Sequence, residues 1–195
     1  MPSMVNGGIL SLVDGRLQLV MIDSDNFLVK PFDPRTLSEG ERTPFYREVY
    51  PDYQSTLGKK WHQTFEKILR LKQESNSDRI YVGNFIFWRR DNLIALQKHL
   101  ETSKFWTWQT KVCRYLNFSE YTLYGVFCDD VLAEKANLNG TDKIFTLSYW
   151  KEKPMTVKEL IEFGEKLEPH QFAISISAKS KTPTQNIIEA FNLTP

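Results

Sequence analysis

The stretch Leu19 to Val29, reading Leu-Val-Met-Ile-Asp-Ser-Asp-Asn-Phe-Leu-Val, restricts the fold more than any other part of the chain. Four apolar residues with the composition of a buried strand run straight into two carboxylates one residue apart, and an apolar segment resumes at Phe27. A buried strand that ends in Asp-x-Asp sets both carboxylates at the carboxyl edge of a sheet, where open α/β sheets bind their ligands. Oxygen donors there suit Mg²⁺ or Mn²⁺, ions commonly held by one or two carboxylates together with the phosphates of a substrate. The tetrapeptide Asp23 to Asn26 is also sound turn sequence, because Asp, Ser and Asn side chains bond to nearby backbone groups. On these residues alone, a metal site and a plain turn both stand.

The surrounding chain reads as strands alternating with helices, the pattern of an α/β fold. Ile9 to Val13 and Leu17 to Ile22 flank Asp14-Gly15, a hairpin signal, so the second strand of an opening hairpin delivers Asp23 and Asp25. The spacing of Trp61, Phe65, Ile68 and Leu69 predicts a helix over 61–73, with His62 on its surface beside Lys59 and Lys60. Tyr81 to Trp88 is a second buried strand, in which Gly83-Asn84 marks a bulge or a close approach. Asp91 caps a helix carrying Leu93, Leu96 and Leu100, and a further helix spans 105–116. Ser119 caps a helix with Glu120 in its first turn, a place where a carboxylate complements the dipole, and Tyr121 and Tyr124 follow as flat surfaces for a sugar or another ring. A strand over 143–150, a helix over 156–167 and a strand over 172–176 complete the alternation. Ser175, Ser177, Lys179 and Ser180 then lead into a closing helix over 183–191, as an anion site or as an ordinary loop. One domain over 1–195 accommodates all of this.

Lys and Arg number 25 against 24 Asp and Glu, which removes any bulk electrostatic case for nucleic acid. No apolar run is long enough to span a membrane and no leader pattern opens the chain. Cys113 and Cys128 lack zinc-type spacing and read as buried thiols of a reducing, cytoplasmic compartment.

Four blocks in order resemble a glycosyltransferase-like family with a DxD motif and the GT-A type of α/β fold. They are Met21-Ile22-Asp23-Ser24-Asp25 with Phe27 to Phe32, Gly83 to Arg90, Phe118 to Gly125, and Ile176 to Pro183. The resemblance implies a nucleotide-diphospho-sugar transferase-like mixed sheet flanked by helices, a nucleotide-sugar donor, a carbohydrate acceptor and a Mn²⁺ or Mg²⁺ cofactor. It implies Asp25 as the direct metal ligand, with Asp23 on the ribose or on the ion through water. Gly83 and Asn84 would contact the sugar or acceptor, Tyr121 would bind substrate, Glu120 would orient the acceptor hydroxyl or act as base if the reaction inverts, and Lys179 would pair with phosphate. Two βαβ units need on the order of 60 residues ahead of the motif, whereas 22 precede Asp23. The expectation is therefore an N-terminally truncated version with an open base pocket, its free sheet edge paired with a partner chain or a second copy.

Two other classes compete. In a phosphohydrolase of the haloacid dehalogenase type, Asp23 would be the nucleophile, Asp25 the acid/base, Lys151 or Lys179 the phosphate clamp and Asp129-Asp130 the metal pair. In a sugar-binding or assembly module descended from a transferase, the aromatics would bind carbohydrate without catalysis.

Overall fold

The computed structural model describes residues 7–13, 16–33, 37, 40, 42–49, 56–72, 78–101 and 107–193. They form a mixed α/β protein. Strand β1 (Gly7–Val13) pairs antiparallel with β2 (Arg16–Ile22) in a register that places Val13 opposite Arg16, as a two-residue hairpin requires; Asp14 and Gly15 themselves lie outside the described residues. β2 also pairs antiparallel with β7 (Phe85–Arg89), so β2 is the centre of a three-stranded sheet. A second three-stranded sheet runs β3 (Asn26–Leu28), β10 (Ala173–Ile176), β9 (Thr146–Tyr149), with β3 antiparallel and β9 parallel to β10. Residues Asp23 to Asp25 are therefore the step by which the chain passes from one sheet to the next.

Two short pairs complete the β structure: β4 (Thr43–Tyr46) with β8 (Leu138–Thr141), parallel, and β5 (Glu48–Val49) with β6 (Arg79–Ile80), antiparallel. The helices are α1 (Thr56–Leu69), α2 (Arg90–Leu100), α3 (Trp108–Val112), α4 (Glu120–Val126), α5 (Val157–Gly164) and α6 (Thr184–Phe191). A π-helical turn, Phe127–Leu132, continues α4.

All five residues of β7 are buried because both of its faces are covered. Ile86 and Trp88 join Phe65, Leu100, Tyr124 and other residues of the helical layer, while Phe85 and Phe87 turn the opposite way onto Val20, Phe145 and Phe172. Phe32 stacks on Phe172 with ring centroids 4.3 Å apart, which closes the second group. A third cluster sits where β10 turns Ile174 and Ile176 onto Leu160 of α5 and Ile187 of α6. α5 begins with a complete capping box, Thr156 and Glu159 each bonding to the other's backbone.

Several expectations are corrected. Gly83 and Asn84 lie in the irregular link between β6 and β7, not inside a strand. His62 is 3% exposed, its ring nitrogen 3.0 Å from the carbonyl oxygen of Arg79, because α1 begins at Thr56 and turns that position inward. Asp91 is in the first turn of α2 rather than at its cap, which Arg89 occupies without a side-chain bond. α3 is much shorter than the helix expected over 105–116, part of which falls outside the described residues. Cys113 is exposed, and only Cys128 is buried. Tyr124 is 1% exposed and its hydroxyl accepts the Arg89 backbone N–H at 2.9 Å, so it is a core residue and offers no platform to a sugar.

Candidate functional site

Asp23 and Asp25 stand at the carboxyl end of β2, in a turn tied down from three sides. The Asp23 N–H donates to the Asn84 carbonyl at 3.2 Å. The Asn26 side-chain amide donates to both the Asp23 and Asn84 carbonyls at 3.0 Å, and the Asn26 N–H closes the turn onto the Asp23 carbonyl at 3.1 Å. The turn reading of this tetrapeptide is thus correct for its backbone, and it leaves both carboxylates available.

Each carboxylate is held by one hydroxyl. Tyr121 donates to Asp23 Oδ1 at 3.3 Å, and Ser175 donates to Asp25 Oδ1 at 3.2 Å while the Ile176 N–H donates to the Asp25 carbonyl at 3.0 Å. Tyr121 is itself buried, with its ring edge-on to Trp88, so its hydroxyl reaches Asp23 while its face is closed to a ligand. The expected open tyrosine platform is absent for a packing reason: α4 turns Tyr121, Leu123 and Tyr124 into the core.

Glu120 is exposed in the first turn of α4, where Ser119 caps the helix by accepting the Thr122 N–H at 3.3 Å. Burial raises the Asp23 carboxyl above its ordinary value, the Asp25 charge raises it further, the Tyr121 hydrogen bond opposes this, and Glu120 adds a smaller rise. Among the described residues, no Lys, Arg or His forms an ion pair with Asp23, Asp25 or Glu120. No group of three or more His, Cys, Asp or Glu among them is placed to hold a metal ion. A cation here would take oxygen ligands from the two aspartates and the remainder from elsewhere.

Segments far apart in the chain meet at this turn: the Asn84 carbonyl and the Ile176 N–H bond to the backbone of Asp23 and Asp25, and Tyr121 bonds to the Asp23 carboxylate. The chain belongs to a family of unknown function, DUF6492. Its family model matches residues 16–191, from the start of β2 to the end of α6, and so takes in every residue of the site. No curated protein and no solved structure matches the chain.

Of the remaining residues named from sequence, Gly83 packs on the Tyr46 ring, where an added Cβ would lie 3.4 Å from a ring carbon. Lys179 is exposed on the 3₁₀ turn Ala178–Ser180 and makes no ion pair among the described residues. Sequence reasoning missed Ser148, whose hydroxyl accepts from the Asn84 amide at 3.1 Å. Ser148 is the register partner of Ser175 in β9, and Ser175 is in turn opposite Asn26 in β3, so one polar row crosses three strands beside Asp25. Two serines recurring at the edge ends of otherwise apolar strands are the signal that could have located it.

The Asp129-Asp130 pair belongs to different chemistry. Asp129 receives Arg47 at 3.0 Å, Arg79 at 2.8 Å and the Tyr81 hydroxyl at 2.9 Å. Both of its oxygens are already engaged by fixed donors, which makes it a structural clamp between the β4–β5 link, β6 with the residue after it, and the π-helical turn.

Proposed function

We propose that the protein is a metal-dependent glycosyltransferase of GT-A type, moving a sugar from a nucleotide-sugar donor to a carbohydrate acceptor at the Asp23–Asp25 turn. The observation that carries this reading is the uncompensated charge at that turn. Two carboxylates are partly withdrawn from water, a third lies near, and no basic side chain among the described residues offsets them. Such an arrangement favours a bound cation. Each aspartate spends one oxygen on a protein hydroxyl, so the donor set fits Mg²⁺ or Mn²⁺ whose shell is completed by substrate oxygens. The ion, when bound, supplies Lewis-acid neutralisation of a leaving diphosphate.

The chain's own residues orient and exchange protons. Ser175 and the Ile176 N–H hold Asp25 in place, and Tyr121 orients Asp23 from a buried ring. Glu120, exposed beside them, takes the proton of an acceptor hydroxyl as general base. Lys179 pairs with phosphate from the turn that follows β10. The phosphohydrolase reading is less well supported, because the Asp129 carboxylate it needs for metal is clamped by two arginines and a tyrosine.

The test is thermal stability of the wild type and of Asp25→Ala with Mn²⁺ and a panel of UDP, GDP and their sugars. The expected result is a Mn²⁺-dependent rise with one nucleotide that the variant lacks, as preferential binding to the folded state requires. Absence of any nucleotide-dependent rise in the wild type overturns the transferase reading.

A further inference from the structure

We propose that the cleft on the far side of Asn84 is a binding site for one neutral sugar ring, stacked on Trp150. The cleft has a volume of about 260 Å³ and is lined by Asn84, Thr146, Ser148, Trp150 and the ring of Tyr46, among others, with no charged side chain in its wall. An uncharged wall offers no ion-pair partner to a phosphate, a metal ion or an acidic or basic peptide, and so favours a neutral occupant. The volume falls below the roughly 300–1,000 Å³ of sites for drug-sized molecules, which suits a single ring.

The shape of the wall follows from strand alternation. Leu147 and Tyr149 of β9 pack on the α5–α6 side, so Thr146 and Ser148 take the opposite face, and Trp150, the residue after the strand, lines the same cleft. Trp150 is 61% exposed, and Val82 and Ile144 on the same cleft are also exposed, which gives an apolar rim that solvent does not favour. Below that rim lies an unmet polar demand. Thr146 is 2% exposed and its hydroxyl has no hydrogen-bond partner among the described residues. Buried hydroxyls ordinarily have one. An indole face beside hydroxyl and amide groups matches a pyranose, which has an apolar face and a hydroxyl rim.

Asn84 joins this cleft to the carboxylate turn: its side chain donates to Ser148 and its carbonyl accepts from Asp23 and Asn26. Assigning the cleft to the acceptor rests on the transferase reading, whereas assigning it to a sugar does not. The test uses neither metal nor nucleotide, so the two can fail separately. Wild type, Trp150→Ala and Trp150→Phe are titrated in EDTA with methyl glycosides of glucose, galactose, mannose and N-acetylglucosamine, and with uridine and adenosine. Binding is read by tryptophan fluorescence and by saturation-transfer NMR on the ligand, and folding by melting temperature. The expected result is saturable millimolar binding of at least one glycoside, weakened at least tenfold in Trp150→Ala and less in Trp150→Phe. No saturable glycoside binding, binding of the nucleosides instead, or full retention in a folded Trp150→Ala overturns the proposal.

Discussion

The hydroxyl of Tyr121 lies 3.3 Å from Oδ1 of Asp23 and joins the first turn of α4 to the carboxylate edge of β2 across 98 residues of sequence. Because the Tyr121 ring is packed against Trp88, the donor is fixed before any ligand arrives.

Tyr121→Phe keeps the ring and removes the donor. It is expected to cost about 0.5–1.5 kcal/mol of stability, the usual net worth of one hydrogen bond, and to raise the Asp23 carboxyl further, since Tyr121 is the group that opposes the rise. Urea denaturation and a carboxyl NMR titration measure the two effects. An unmoved Asp23 titration would mean that the bond does not form in solution.

Asp23→Asn is expected to stabilise the protein at neutral pH in the absence of metal. A carboxyl whose folded value lies above its unfolded one favours folding when protonated, and that advantage is lost as pH rises through the folded value. The melting temperature of the variant should therefore exceed that of wild type at pH 7. The gap should close as the pH falls below the ordinary aspartate value of about 3.9. A variant less stable than wild type at pH 7 contradicts the uncompensated charge.

Gly125→Ala reverses the usual preference for alanine in a helix. An added Cβ would lie 2.2 to 2.6 Å from three atoms of the Tyr81 ring, which is 3% exposed and tied to Asp129. Alanine ordinarily gains about 1 kcal/mol over glycine in a helix, whereas overpacking costs about 1–3 kcal/mol or more. A net loss in chemical denaturation is expected, and a net gain would show that Tyr81 can move.

His62 is buried, and burial lowers its pKa below the ordinary value, with the bond to the Arg79 carbonyl acting the other way. Its contribution to stability is present above about pH 6.5 and is lost as pH falls through the lowered folded value. Melting temperatures from pH 7.5 to 5 should show a decline in wild type that is reduced in His62→Gln. Parallel curves would assign the decline to other groups.

Local chemistry was legible in the sequence, and partners distant along the chain were not. Asp14-Gly15 between two apolar runs announces the β1–β2 hairpin, and the apolar spacing over 156–167 announces α5. The Asp23–Asp25 turn was evident because a buried strand that stops at two carboxylates has few alternatives. β8 is not legible, since Leu-Asn-Gly-Thr has one β-branched residue against an Asn and a Gly that disfavour strands, and it is a strand only because β4, almost a hundred residues earlier, lies alongside. In the sequence Tyr121 and Tyr124 look like a binding surface because a tyrosine's burial depends on which way its helix is rolled, and the helix capped by Ser119 rolls both inward. Ser148 and Ser175 acquire meaning only through the register that sets them side by side.

The π-helical turn Phe127–Leu132 has a consequence for how insertions and deletions are tolerated. A wider turn advances the side chains by a smaller angle per residue than the roughly 100° of an α-helix, so it shifts the phase of the last residues that continue α4, before Ala133 at φ 50° ends the helix. Upstream of it the phase suits the aromatic core at Tyr124; within it the phase aims Asp129 at Arg47 and Arg79. Deleting one residue here would restore ordinary helical phase and swing that carboxylate away from both guanidiniums, so the length of this turn matters as much as its composition.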